Sequence, residues 1–272
     1  MIMRIETPQT RYHELSEMLS GVKLYERRPQ NCIGDFYDFT RDERFCGRWS
    51  PEEISQLLAD TGCIAHWDSL GFSDLRIEIG HDFNNQYELS VWTRFADCDE
   101  RLLYLIVWLE YIEIERLSVR YPTFCVEHLR LQLPGKAFDQ TPMPGQDYAS
   151  SGLLRRVFGM IKLWATQTGA ALITEIPQYF HTAYLFSPFF EYIDPEMAAL
   201  FRAMKQDLLP AQPTKEDITR LSFEFENGRI TRNGELYLWP TEMQGFALSH
   251  EVAAQIRLSD NRRDSGVFSR KD

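Results

Sequence analysis

No apolar run in this 272-residue chain is long enough to span a bilayer. The most apolar stretch, Leu102 to Leu109, runs straight into carboxylates, so no membrane partner is expected. The first residues lack the apolar core of a secretory leader, and a cytoplasmic location is expected. Cysteines are few: the five, at 32, 46, 63, 98 and 125, are odd in number and widely scattered. That excludes a disulfide framework and points to reduced thiols. Positive charge is in deficit. A net charge of −11 repels phosphate backbones and argues against nucleic acid as a partner. The locally basic tail, Arg262, Arg263, Arg270 and Lys271, follows the last apolar periodicity and reads as a frayed end. Internal repeats and low-complexity segments are absent. So are a Gly-x-Ser-x-Gly elbow, a Walker loop, a His-Glu-x-x-His zinc motif, a kinase set and a strand–GxGxxG–helix unit. Two Cys-x-x-His pairs occur, Cys63…His66 and Cys125…His128. The second falls on a strand, where residues three apart point to opposite faces, and no metal site is expected.

What is present is enough apolar material for a core. Hydrophobic residues make up 44% and aromatics 13%, which excludes wholesale disorder. At roughly 100–200 residues per domain, one large domain with an appendage is expected. Leu15, Met18 and Leu19 give a short helix over residues 10–20, and residues 21–49 are irregular and aromatic-rich. Phe36, Tyr37, Phe39, Phe45 and Trp49 there suit the lining of a substrate pocket or, as aromatics in an irregular stretch more often do, a core or lid. A helix over 51–61 carries its own start signals: Ser50 as cap, Pro51 in the first position and Glu53 completing a capping box, with Gly62 as stop. Period-2 alternation then predicts strands over 73–79, 87–94, 102–116 and 124–133. Periodicity alone allows helix over 102–116, and β-branched and aromatic content favours strand. On the fourth strand Val126, His128, Arg130 and Gln132 face one way and Glu127, Leu129, Leu131 and Leu133 the other.

A Pro/Gly-rich loop, 134–147, leads to Ser150-Ser151-Gly152 and a long, well-buried helix that Gly169 closes. A short strand over 170–174, a helix over 180–186 stopped by Pro188, and a strand near 190–193 follow. Asp194 and Pro195 open an amphipathic helix to about Leu208. Pro210 to Pro213 is the best linker, which divides the chain into residues 1–209 and a C-terminal appendage, 210–272. The appendage holds a helix over 214–227, a hairpin turning at Asn233-Gly234 and a helix over 250–258.

Over residues 70–193 this order resembles the GNAT superfamily of N-acetyltransferases. The resemblance is carried by Leu129-Arg130-Leu131-Gln132-Leu133, by Pro144 to Arg156, and by Phe180-His181-Thr182-Ala183-Tyr184-Leu185-Phe186 with Phe190-Glu191-Tyr192. It implies an α/β (α+β) fold with a mostly antiparallel twisted sheet flanked by helices, whose fourth and fifth strands splay apart. It also implies acetyl-CoA or another acyl-CoA in that gap, with an amine as acceptor. Free amides and the positive end of a helix would hold the pyrophosphate, where glycine permits close approach. The cofactor-binding residues it implies are Leu131, Leu133, Gln146, Ser150, Ser151, Gly152, Leu153, Leu154, Arg155 and Phe186, with Arg156 adding charge. The catalytic candidates are Glu127, His181 and Tyr184. Glu110 and Glu113 on the bordering strand are further candidate bases. Phe186 occupies the position where the family usually has a proton-donating Tyr, and Tyr184 lies about 200° around the helix from it. Two readings follow: an N-acyltransferase working by direct attack, or a non-catalytic GNAT-like module that binds an acyl-CoA or a protein. A second copy of the chain is also a candidate partner.

Overall fold

Alternating apolar and polar residues build the backbone of the fold. A two-residue edge strand, β1 (Thr40–Arg41), is followed by β2 (Arg76–His81), β3 (Gln86–Phe95), β4 (Cys98–Ile114) and β5 (Val119–Leu133), each antiparallel to the next. The ambiguous segment around 102–116 is extended, in β4. Ala96 and Asp97, both at positive φ (48° and 65°), make the two-residue turn that joins β3 to β4. The computed structural model describes residues 40–41, 44–82, 86–114, 118–138, 141–257 and 266–271. The helix expected over 10–20 and residues Phe36, Tyr37 and Phe39 lie outside them.

Beyond β5 come β6 (Ala149–Ser150), β7 (Leu172–Glu175), β8 (Glu191–Tyr192) and β11 (Gln244–Ala247). The main sheet runs β1-β2-β3-β4-β5-β7-β11-β8, with β6 paired to the end of β5. Only the β5–β7 pair is parallel in it. The segment expected as an appendage therefore also supplies β11, a strand between β7 and β8. Its other strands, β9 (Ile230–Arg232), β10 (Glu235–Leu236) and β12 (Phe268–Arg270), make a small separate sheet. Its hairpin turns at Asn233-Gly234 as expected.

Three helices cover one face of the main sheet. The first, α1 (Pro51–Asp60), has the expected capping box between Ser50 and Glu53. Gly62 does not simply end it: at φ 74° it turns the chain into a further helix, α2 (Cys63–Ser69), which periodicity does not reveal in so short a segment. The third, α3 (Leu154–Gln167), buries Val157, Phe158, Met160, Ile161, Trp164 and Ala165. These pack with Ile54, Leu58 and Trp67 against Leu89, Leu103, Leu105, Val107, Phe124 and Ile173 from the strands. Each such buried side chain contributes roughly 1.5–3 kcal/mol.

A second core joins α4 (Phe180–Phe186), α5 (Pro195–Leu208) and α6 (Lys215–Glu226) through Phe180, Phe201, Met204, Leu221 and Phe225, closed by Ile230 and Phe268 of the small sheet. The final helix is α7 (His250–Arg257). The described residues hold no helix long and apolar enough to cross a membrane. The described cysteines, 46, 63, 98 and 125, are free thiols.

Candidate functional site

The parallel ladder of β5 and β7 has four rungs, from Thr123↔Leu172 to Val126↔Glu175. There β7 stops, whereas β5 continues to Leu133. The next residue of β5, Glu127, is the extra residue of a bulge: Val107 pairs with Val126 and Ile106 with His128. A bulge bends its strand and increases its twist, so β5 turns at the point where its parallel partner ends. Further on, Gln132 and Leu133 pair with β6. This end of the parallel pairing, at the carboxyl end of β7, is termed the fork.

The bulge also resets which side chains share a face. Val126 packs in the first core beside Leu129 and Leu131, and Leu133 is buried there, while His128 and Arg130 turn to the opposite, outer face with Ile106 and Tyr104. Strict alternation puts Val126 with His128, and the inserted residue is why that fails. Glu127 leans to the outer face as well, where its Oε2 accepts from Gln86 Nε2 at 2.7 Å. Strict alternation separates Glu127 from His128, and the bulge brings both to one side. Cys125 shares that face, yet its thiol meets Glu110 and Thr174, each at 3.2 Å. Among the described residues no cluster of three or more His, Cys, Asp or Glu side chains is arranged to hold a metal.

The loop before α3 is tied down on three sides. Gln146 closes a turn, its Oε1 accepting from the Met143 amide at 3.0 Å and its own amide donating to the Met143 carbonyl at 3.0 Å. Gly145 sits at φ 71°, and a Cβ there would come within 2.7–2.9 Å of the Tyr179 ring, so glycine is what lets this loop meet the segment after β7. His66 Nε2 donates to the Ser151 carbonyl at 2.8 Å.

The helix does not start on a serine cap as expected. Its cap is Leu153, with no side-chain hydrogen bond, and the hydroxyls of Ser150 and Ser151 accept only from Gly152 and Leu153 at 3.4 Å. Leu153 and Ser151 are buried, Leu154 is half-buried, and Ser150, Gly152 and Arg155 are exposed. Gly152 is at φ 72°, with open space where a Cβ would stand. An uncapped helix start beside an exposed glycine is an anion-receptive arrangement. Arg156 is not available to it, because its guanidinium donates to the Gly62 carbonyl and fastens α2 to α3.

The expected catalytic set is not brought together. His181 is buried between α4 and α6, where its amide donates to Ser222 Oγ at 2.9 Å and its Nδ1 meets the same hydroxyl at 3.1 Å. Burial pushes its pKa down to about 4, so the ring is neutral at physiological pH. Tyr184 packs towards the second core, and Phe186 towards the first, against Phe190.

One group that sequence reasoning missed does stand at the fork. Glu175 is the last residue of β7, and burial alone pushes its carboxyl up to about 8. Across the sheet it pairs with Gln244, which pairs in turn with Tyr192, so the three side chains form one row on one face. Glu175 Oε1, both amide atoms of Gln244 and the Tyr192 hydroxyl are buried without closing a hydrogen bond of standard geometry. Each such group costs about 1–3 kcal/mol, a cost that marks functional positions. The signal in the sequence was a carboxylate ending a short apolar strand just before Pro177. The chain matches no protein-family model and no curated protein.

Proposed function

We propose that this chain is an acyl-CoA-dependent N-acyltransferase of GNAT-like fold, passing an acetyl or other acyl group to an amine. The observation that carries the reading is the fork. The parallel pairing ends at Val126↔Glu175, a bulge falls at the next residue, and the helix that follows starts uncapped at Leu153. A gap beyond that last pair would take the extended arm of a coenzyme A thioester. Amides near Gly152, with exposed Arg155, suit its pyrophosphate.

In the reaction the amine nitrogen attacks the thioester carbonyl, the oxygen gains charge, and the carbon–sulfur bond breaks to release a thiolate. Strand N–H groups stabilise the oxyanion. The proton leaving nitrogen equals the one the sulfur takes up. Glu175, at about 8, is matched to move it, since a thiol titrates near 8.5. The test is acetyl-CoA consumption across a panel of amines. Sustained thiol release that Glu175→Gln abolishes supports the reading, and no release with any amine refutes transfer.

A second reading is favoured by the engagement of Glu127 with Gln86, of His181 with Ser222 and of Tyr184 with the second core. It is a module that holds an acyl-CoA without turnover. Coenzyme A binding with no amine-dependent thiol release selects it.

A further inference from the structure

The outer face of the sheet beside the fork carries a cationic cluster that the transfer chemistry above does not use. Arg101, on β4, lies between two aromatic rings, its guanidinium carbon 4.4 Å from the Trp92 centroid and 4.1 Å from that of Tyr104. Both rings are electron-rich faces that favour a cation, and together they fix the guanidinium plane. Arg130 pairs directly with Tyr104 across the strands, and His128 meets the Tyr104 ring edge-on at 5.3 Å.

What this cluster lacks is a paired anion. Tyr104 is 1% exposed; Arg101 is the donor within reach of its hydroxyl, which closes no hydrogen bond of standard geometry. The same holds for Trp92 Nε1, Arg101 Nε and His128 Nε2. Among the described residues neither Arg101 nor Arg130 closes an ion pair. The carboxylate whose charge reaches Arg101 is Glu88, and it accepts instead from the Ser90 hydroxyl at 2.9 Å. Gln132 spends its amide on the Arg101 carbonyl at 2.6 Å. Both arginines are half-buried residues. Nε of Arg101 is itself buried.

A guanidinium held between two rings, a second arginine paired with the same Tyr104 and buried donors around them complement an oxyanion. His128 adds no positive charge, because burial and then Arg130 and Arg101 push it down to about 4. The place of the cluster says which oxyanion. Arg130 lies three residues past Glu127 on β5, on the order of 10 Å along the strand, and its charge also reaches Tyr148 and Tyr179. Tyr179 is the ring that packs on Gly145. We infer that Arg101 and Arg130 bind the carboxylate of the acyl acceptor, which makes the acceptor an amine-bearing carboxylic acid. The acceptor role rests on the transferase reading. The carboxylate site itself does not.

The experiment uses the full chain without coenzyme A. Tryptophan fluorescence, sensitive to Trp92, is titrated with sodium 6-aminohexanoate, sodium acetate and inorganic phosphate against sodium chloride at equal ionic strength. The wild type is compared with Arg101→Gln, Arg130→Gln and Arg130→Lys, with circular dichroism reporting the fold. A saturable response to both carboxylates, tighter than to phosphate, is expected. It weakens about tenfold or more in each Gln variant and in part in Arg130→Lys. If Arg101→Gln fails to fold, the Arg130 pair decides. No response beyond chloride, affinity unchanged in the variants, or preference for phosphate overturns the inference. Carboxylate binding in a protein that ignores coenzyme A removes the transferase reading and leaves this site standing. Amine transfer indifferent to a carboxylate on the acceptor does the reverse.

Discussion

Val126 and Glu175 are the last paired residues of the parallel ladder, and the residue after Val126 is the one inserted by the bulge. The parallel pairing thus ends beside a bulge, and the carboxyl on its last rung is a buried one.

That carboxyl sets a stability signature. Its folded pKa, about 8, lies above a glutamate's ordinary 4.5. Between those values the unfolded chain has released the proton and the native state has kept it, so stability falls as pH rises across the window. The slope from this group is about 1.4 kcal/mol per pH unit. Glu175→Gln is expected to raise the unfolding midpoint relative to wild type at pH 8 and to make little difference at pH 4.5. Denaturant melts at both pH values check this. A variant less stable than wild type at pH 8 would mean the carboxylate is ionised and paired.

His181 gives the opposite limb. Its folded pKa, about 4, is depressed by burial below a histidine's ordinary 6.5. The stability it contributes is complete above about 6.5 and drains away as pH falls towards 4. Ser222→Ala leaves the His181 amide without its acceptor. The expected loss is about 1–3 kcal/mol. Because the contact is structural, the variant should keep full activity per folded molecule. A large drop in turnover with unchanged stability would instead make His181 part of the chemistry.

At Gly152 a substitution separates ligand from fold. The residue is left-handed with open space around it, so Asn, which tolerates that conformation, adds bulk without much strain. Gly152→Asn should weaken coenzyme A binding by about tenfold, or 1.4 kcal/mol, with the unfolding midpoint nearly unchanged. Gly152→Val adds backbone strain and should lower both. Undiminished affinity in the Asn variant would show that this loop does not cradle phosphate.

Much of the frame was legible because its signals are local. Ile77 and Ile79 on β2, and Leu89 and Val91 on β3, alternate as strand residues do. Ser50 with Glu53 marks a helix start, and Asn233-Gly234 marks a hairpin. The site was less so, because its features need a partner. The bulge at Glu127 exists only in register with Ile106 and Val107. Arg156 has its role through a carbonyl 94 residues away. Gln244 to Ala247 carries little strand propensity, and it becomes a sheet strand only by filling the space between β7 and β8. Glu175 looks like any carboxylate until burial removes its water.

The most direct test of the account is calorimetric titration of the full chain with coenzyme A, paired with a thermal melt. A saturable heat is predicted, with stabilisation of about 2.7 kcal/mol at a hundred times the dissociation constant, both reduced in Gly152→Asn. Absence of heat and of any thermal shift at millimolar coenzyme A would contradict the fork as a thioester site, and with it both the transferase and the binding-module readings.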